Sequence, residues 1–216
     1  RAGLGLESGF ARCRPTPMTA TSSRLLTLTV LAVLMAASRG HAFDHFSPPD
    51  ASWAVFFIAG FHLRGWGRWA FPLLMALAVA VDWWVIRGQG IDFWSHYCVS
   101  PGYWFLLPAY GAMWLGGAWL RRHYRGAGWE ALGRLAGAFL VSVVACHLFA
   151  QGGFYWLSDS VAEPSLAGWW KNYSDWLPPY LVTAAVYVAI AAALQLVAER
   201  IAPMIPERGE PGETGL

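Results

Sequence analysis

The chain has 216 residues, of which 56% are apolar and only 13% are charged, and its mean hydropathy is +0.39. These values lie far from the balance of a soluble domain and exclude an ordinary water-soluble globular protein. The formal charge of +2 does not indicate a nucleic-acid partner, because membrane topology accounts for the basic residues. No glycine-rich phosphate loop, dinucleotide fingerprint or repeat period occurs, so nothing predicts an ATPase within this chain.

Six apolar stretches dominate the sequence and predict an all-α integral membrane protein, a six-transmembrane-helix bundle formed by residues 18–202. The predicted spans are 24–42, 50–64, 68–87, 101–120, 132–151 and 178–200. Most reach the ~20 residues that cross ~30 Å of hydrocarbon. The second is short, so we expect it to begin in the loop at Asp50, to tilt, or to be shielded by its neighbours. Residues 1–17 are interpreted as an upstream extension and 203–216 as a disordered tail.

The basic residues fix the expected orientation of these spans. Twelve of the fifteen fall on one side when the N-terminus is placed inside, and only Arg39, Arg87 and Lys171 fall on the other. Because Lys and Arg in short loops are retained in the cytoplasm, both termini are predicted to be cytoplasmic.

The first span permits two interpretations. Arg24, an apolar run and small residues also form the pattern of a secretory signal peptide, whose removal would leave five spans. Ala32 and Ala36 lie on one helix face, where small side chains let another helix backbone approach closely. That face serves either packing within the bundle or docking of a partner membrane protein.

Aromatic and polar residues gather on the opposite, outer side, in loops predicted at 41–50, 88–102 and 152–176. Nine of the fourteen tryptophans lie near this side: Trp53, Trp83, Trp84, Trp94, Trp104, Trp156, Trp169, Trp170 and Trp176. An interfacial aromatic belt would be roughly even between the two faces. We therefore interpret the outer side, and mainly its long third loop, as a binding site for a large and partly planar ligand, with the belt contributing.

Two cysteines and one carboxylate carry the chemistry of this side. Cys98 and Cys146 form a disulfide in an oxidising compartment, or Cys98 is a soft sulfur ligand to a transition metal, and the residues alone leave both open. Asp82 lies inside an apolar run, which predicts a partner and a pocket-facing position unless it snorkels to the surface. His45 and His147 are either pocket donors and ligands or hydrogen-bonded structural histidines.

Six spans, the lack of an ATPase motif, the alanine face and the aromatic outer side together resemble the substrate-binding S-components of energy-coupling-factor (ECF) transporters. Within that group, the chain resembles the cobalamin-specific BtuM family in residues 43–45 (Phe-Asp-His), 51–54 (Ala-Ser-Trp-Ala) and 96–104 (His-Tyr-Cys-Val-Ser-Pro-Gly-Tyr-Trp). The resemblance covers residues 18–202. It implies uptake of cobalamin (vitamin B12) at the bacterial inner membrane, with the ligand bound at the outer, periplasmic face.

The resemblance also implies particular residue roles. The Cys98 thiolate would take an axial position on cobalt and act catalytically in removing the cyanide ligand of cyanocobalamin. Further contacts to the corrin are expected from five residues: His45, Asp82, Tyr103, Trp94 and Trp104. An ECF transmembrane partner would dock at Ala32 and Ala36, and the lipid bilayer would surround the bundle.

Three other classes stay open at this point. The first is an S-component for another vitamin or a metal ion, although a bare metal would need a tighter cluster than His41, Asp44 and His45. The second is a haem-binding electron-transfer protein, which would need paired histidines facing each other on helices. The third is a structural or accessory membrane protein with a Cys98–Cys146 disulfide.

Overall fold

The computed structural model describes residues 20–39 and 49–201, and these ranges are helical without any strand. The helices are α1 (Ala20–Arg39), α2 (Ser52–His62), α3 (Gly67–Gly88), α4 (Leu106–His123), α5 (Trp129–Leu157) and α6 (Leu166–Ile201). Short 3-10 turns lie at Arg64–Trp66, Phe93–Ser95 and Pro101–Phe105. The predicted all-α class is therefore confirmed for the described residues.

Four segments are long and apolar enough to cross a membrane: Thr21–Arg39, Arg64–Gly88, Trp129–Leu157 and Leu166–Ile201. They correspond to the first, third, fifth and sixth predicted spans and are typical of a helical membrane protein. The second and fourth predicted spans form shorter or more polar helices. α2 has only 11 residues, and α4 ends in Arg121, Arg122 and His123.

α2 lies at the centre of the bundle. All of its residues from Ser52 to Phe61 are buried, and it packs against the other five helices. Its 11 residues are apolar on every side, which is the pattern of a helix enclosed by protein. At 1.5 Å per residue it is about 16 Å long, roughly half of the ~30 Å hydrocarbon core. Shielding by neighbours, one of the three arrangements expected for the short second span, is the one observed.

Glycines bring α2, α4 and α5 into close contact. A Cβ atom on Gly117 would lie 1.9 Å from the carbonyl oxygen of Phe57, and one on Gly60 would lie 2.1 Å from that of Trp114. Because backbone atoms at such distances cannot move aside, only glycine fits at these positions.

We expect Gly117→Ala to destabilise the protein by about 3 kcal/mol, because the added methyl group must force α2 and α4 apart. Gly111 on the same helix is the matched control, since a Cβ there meets nothing within 4 Å. Gly111→Ala should instead stabilise by up to about 1 kcal/mol through helix propensity. The free energy of unfolding in mixed micelles measures both. Equal effects of the two substitutions would contradict the close contact.

The prediction of a long third outer loop over residues 152–176 is wrong. α5 continues to Leu157 and α6 begins at Leu166, so only residues 158–165 lie between these helices. The apolar pattern that marks the sixth span begins after Trp176, so it predicts no helix for residues 166–177. Pro178 and Pro179 instead lie inside α6, where they remove the N–H groups that would bond to the carbonyls of residues 174 and 175.

α1 is part of the bundle core. Leu31 and Met35 are buried, and Ser38 Oγ accepts a hydrogen bond from the Ala51 N–H at 3.0 Å. Ala32 and Ala36 are half-buried beside this face, and Ala32 packs against the core. The alanine face therefore serves packing within the bundle, and docking of a partner there stays a prediction.

The two ends of the bundle differ in charge, and we name them the Asp82 end and the Glu199 end. Eight described basic residues lie at the Glu199 end: Arg24, Arg64, Arg68, Arg121, Arg122, Arg125, Arg134 and Arg200. The Asp82 end carries only Arg39, Arg87 and Lys171 among the described basic residues. The helices therefore collect basic residues at one end, and the cytoplasmic location of that end stays a prediction.

Candidate functional site

A charged hydrogen-bond network joins four helices at the Asp82 end. Arg39, the last residue of α1, donates from Nε to Asp82 Oδ1 at 2.5 Å and from Nη2 to Asp82 Oδ2 at 2.7 Å. Its Nη1 donates to the Tyr110 hydroxyl at 2.8 Å and to Ser52 Oγ at 3.0 Å. One guanidinium thus connects α1 with α2, α3 and α4. The Nη1 also lies 3.5 Å from Asp50 Oδ2.

The expectation that Asp82 faces the bundle and has a partner is confirmed. Its side chain is 17% exposed and also accepts a hydrogen bond from the Tyr103 hydroxyl at 2.7 Å. A bidentate guanidinium pair and a third hydrogen bond satisfy a carboxylate that would otherwise be costly at this depth. Surface snorkelling, the alternative, is wrong, because this contact set holds the carboxylate inside the bundle.

The sequence pattern does not identify Arg39, Tyr110 or Ser52 as members of this site. It marks Arg39 only as one of three basic residues on the outer side. A signal is present in the sequence: Arg39 lies within the last turn of one predicted span, Asp82 lies near the end of another, and both spans end on the same side. Burying one charge at that depth calls for an opposite charge at a similar depth.

Cys98 lies in the loop that joins α3 to the Pro101–Phe105 turn, and it is half-buried with a free thiol. Cys146 is also a free thiol and is buried, so the Cys98–Cys146 disulfide is not formed. The Cys98 N–H donates to His96 Nδ1 at 3.3 Å. The thiol hydrogen-bonds to the Tyr97 side chain and interacts electrostatically with Asp82 and Arg39. The loop thus places Cys98 within electrostatic range of the charged network.

Burial raises the pKa of the Cys98 thiol above its ordinary value of 9.0. The hydrogen bond with Tyr97 opposes part of this effect, because it stabilises the thiolate. The thiol is therefore protonated at neutral pH, and any metal that binds this sulfur must displace its proton.

We expect alkylation of Cys98 by iodoacetamide to accelerate about tenfold per pH unit from pH 7 to pH 9, because only the thiolate reacts and its fraction rises with pH. The rate should not level off below pH 9, since the pKa is raised from 9.0. Tyr97→Phe should slow the reaction at pH 8, because it removes the hydrogen bond that lowers the pKa. Mass spectrometry of the labelled peptide measures the rate. A plateau near pH 7 would contradict this assignment.

Tyr103 is positioned by a tight packing contact. Ser100 Oγ accepts a hydrogen bond from the Gly102 N–H at 3.2 Å, which caps the turn Pro101–Phe105. A Cβ on Gly102 would lie 2.3 Å from the carbonyl oxygen of Gly153, so the turn is pressed against α5. Tyr103 is only 9% exposed and directs its hydroxyl to Asp82.

The structure brings together only some of the predicted site residues. Asp82, Tyr103 and Cys98 lie near one another, whereas Trp94 and Trp104 are 70% and 59% exposed and stand outside the charged network. His45 lies outside the described residues, as do the other residues of 40–48.

His147 proves to be a structural histidine. It is 1% exposed, and its Nε2 lies 3.0 Å from the carbonyl oxygen of Tyr173. Its ring also packs near Trp53 and Tyr180, with centroid distances of 5.7 and 5.8 Å. These contacts connect α5 with α2 and α6, so the histidine stabilises the bundle.

A small aromatic cavity of about 310 Å³ lies nearby, between the Pro101–Phe105 turn, α5 and the start of α6. Phe105, Trp156 and Trp169 line it, and Trp169 Nε1 is buried without a hydrogen-bond partner among the described residues. Its volume is at the lower end for small-molecule sites, so it suits one substituent of a large ligand.

Comparison with known proteins leaves the family open. No known protein family matches this sequence, and no curated protein shows significant similarity to it. Within residues 20–39 and 49–201, no three His, Cys, Asp or Glu side chains come together as a metal-ion site.

Proposed function

We propose that this protein is a cobalamin-binding uptake component of the bacterial inner membrane, with six membrane-crossing helices and both termini in the cytoplasm. In this arrangement the enclosed α2 and the arginine-ended α4 complete the bundle with the four long helices. The binding site lies at the Asp82 end, which faces outwards because the Glu199 end carries most of the basic residues.

One observation carries the proposal: Cys98 is a free, half-buried thiol within electrostatic range of Arg39 and Asp82, in a loop with exposed aromatic rings. Thiolates are soft ligands that suit cobalt. A cobalt already held by the corrin ring needs only one protein ligand. Trp94 and Trp104 offer exposed aromatic faces to the flat ring. The Tyr103 hydroxyl and Asp82 are hydrogen-bonded to each other, so contacts from them to the corrin amides require those groups to exchange partners when the ligand binds.

The proposed reaction is a ligand exchange at cobalt. Cys98 loses its proton, and the thiolate sulfur forms a bond to cobalt(III). The bond between cobalt and cyanide breaks, and cyanide leaves with both bonding electrons and takes up the proton as HCN. Cobalt remains in the +3 state, so the step requires no reductant. The protein supplies the sulfur, its orientation and exclusion of water.

Release to the cytoplasm requires a partner or a conformational change. An ECF-type membrane partner that recognises Ala32 and Ala36 is the proposed route. The two side chains are half-buried, so part of this face remains accessible beside the packed core.

Cyanocobalamin binding tests the proposed function. Detergent-purified protein is mixed with excess cyanocobalamin, separated from unbound ligand by gel filtration, and its visible spectrum is recorded. We expect about one corrin per chain and a spectrum shifted from that of free cyanocobalamin, because sulfur replaces an axial ligand. Protein that elutes without corrin would overturn the proposal.

A further inference from the structure

A second cavity, of about 360 Å³, lies at the Glu199 end, remote from Cys98 and Asp82. It is bounded by the ends of α2, α4, α5 and α6, and most of its lining is apolar. Its rim includes Leu132, Leu196 and Trp129, which are 52%, 45% and 89% exposed. The cavity is therefore accessible from outside the bundle.

The depth of this cavity matches one leaflet of a bilayer. Its lining on α6 extends from Val188 to Arg200, which is about 18 Å along the helix at 1.5 Å per residue. Half of the ~30 Å hydrocarbon core is about 15 Å. The apolar lining from Val188 to Leu196 thus lies at acyl-chain depth, and Arg200 lies about one helical turn further, at the level of the head groups.

The polar end of the cavity is basic. Arg200 lines it and is exposed, and its side chain makes no hydrogen bond or ion pair with another described residue. Arg121 lies over the ring of Phe61, a lining residue, with its guanidinium carbon 5.2 Å from the ring centroid. Arg200 therefore stands at the place where an apolar chain would emerge, and Arg121 lies behind the Phe61 ring rather than in the lining itself.

The acidic neighbour neutralises this end only in part. Glu199 Oε1 accepts hydrogen bonds from two neutral donors, the Tyr124 hydroxyl at 2.7 Å and Gln195 Nε2 at 2.8 Å, and the carboxylate also attracts Arg121 electrostatically. With Glu130, it is one of two acidic residues at this end in the described ranges, against eight arginines. The electrostatic potential of the rim therefore favours an anion.

We propose that this cavity binds an anionic phospholipid, with one acyl chain between α2, α5 and α6 and its phosphate beside Arg200 and Arg121. Basic pockets between membrane-spanning helices bind anionic head groups. A water-soluble anion would bind weakly, because the lining beyond the arginines is apolar and offers it no polar contact. A zwitterionic lipid would fill the cavity but would gain less from the two guanidinium groups.

Native mass spectrometry tests whether the cavity prefers an anionic head group. The detergent-purified protein is mixed with equal amounts of phosphatidylglycerol and phosphatidylcholine. We expect preferential retention of phosphatidylglycerol, and about fivefold weaker retention in Arg200→Gln, because each basic residue near the surface contributes about 1 kcal/mol. Arg64→Gln is the control: Arg64 is exposed at the same end but does not line the cavity. Equal retention of both lipids, unaffected by Arg200→Gln, would overturn the proposal.

A second pair of variants tests the location. Ala192 lines the cavity and Ala193 is exposed and does not. Ala192→Trp should displace phosphatidylglycerol from the protein, whereas Ala193→Trp should retain it as the wild type does. Wild-type retention by Ala192→Trp would place the lipid elsewhere. Failure of the wild type to retain either lipid would also overturn the proposal and make residues 202–216 of the chain the next candidate occupant.

Discussion

We expect the Cys98→Ala protein to give no shifted corrin spectrum and to release no cyanide from cyanocobalamin beyond the rate in free solution. The reason is that the substitution removes the only proposed sulfur ligand. Loss of a residue that merely orients a metal ligand weakens metal binding by about 10- to 100-fold. Loss of the ligand itself should therefore weaken cyanocobalamin binding by at least about 100-fold, which equilibrium dialysis measures.

Cys146→Ala is the matched control for this experiment. Cys146 is the other free cysteine of the described ranges, and it is buried in the core rather than placed in the loop. Its replacement should leave the spectrum and the cyanide release unchanged. If Cys98→Ala still binds cyanocobalamin with a shifted spectrum, the uptake proposal survives and the cobalt ligand is another group. If Cys146→Ala abolishes the shift instead, the assignment of sulfur to Cys98 is wrong.

Asp82→Asn should destabilise the protein by about 3 kcal/mol, because it leaves the buried Arg39 guanidinium with only the more distant and 40% exposed Asp50 carboxylate as a counter-charge. Arg39 and Asp82 side chains are 12% and 17% exposed, so water cannot replace the lost interaction fully. Asparagine would also replace one carboxylate oxygen with an NH₂ group, which faces the N–H groups of Arg39 and cannot accept from them. One of the two parallel Arg39–Asp82 hydrogen bonds would therefore be lost. The free energy of unfolding in mixed micelles measures the loss.

Asp92→Asn provides the comparison. Asp92 lies 3.4 Å from Arg87 Nη1, and the two side chains are 55% and 53% exposed. An exposed ion pair contributes about 1 kcal/mol or less, so this substitution should have a small effect. The double variant Arg39→Met with Asp82→Leu should recover much of the stability lost in Asp82→Asn, since it removes both buried charges. Equal losses for Asp82→Asn and Asp92→Asn would contradict the structural role of the network.

The helical architecture could be predicted from local sequence because each membrane helix must satisfy its own backbone hydrogen bonds and present apolar side chains. The third span, predicted at 68–87, is helix Gly67–Gly88. The sixth, predicted at 178–200, begins at Leu166 instead. Residues 166–177 are aromatic and polar, and they form helix because Trp169 and Tyr173 pack against α5, a contact that local pattern does not reveal.

The candidate site also combines a feature that local sequence predicts with features that depend on tertiary packing. The position of Asp82 within an apolar run was sufficient to predict a buried partner, because the cost of an isolated charge is a local property. The identity of that partner was not predictable. Arg39 and Asp82 are 43 residues apart in the chain, and Tyr103 and Tyr110 come from two further segments. Their meeting depends on how α1, α3 and α4 pack around α2.

The sequence by itself determined the helical membrane class, the separation of basic from acidic ends, and the need to neutralise Asp82. These properties follow from the transfer of each segment between water and hydrocarbon, which depends on that segment alone. Only the tertiary structure decided that Arg39 pairs with Asp82, that Cys98 is a free thiol within electrostatic range of them, and that a cavity with a basic rim lies at the opposite end. Contacts between segments distant in the chain depend on helix packing, in which Gly60, Gly102 and Gly117 set how closely the backbones approach.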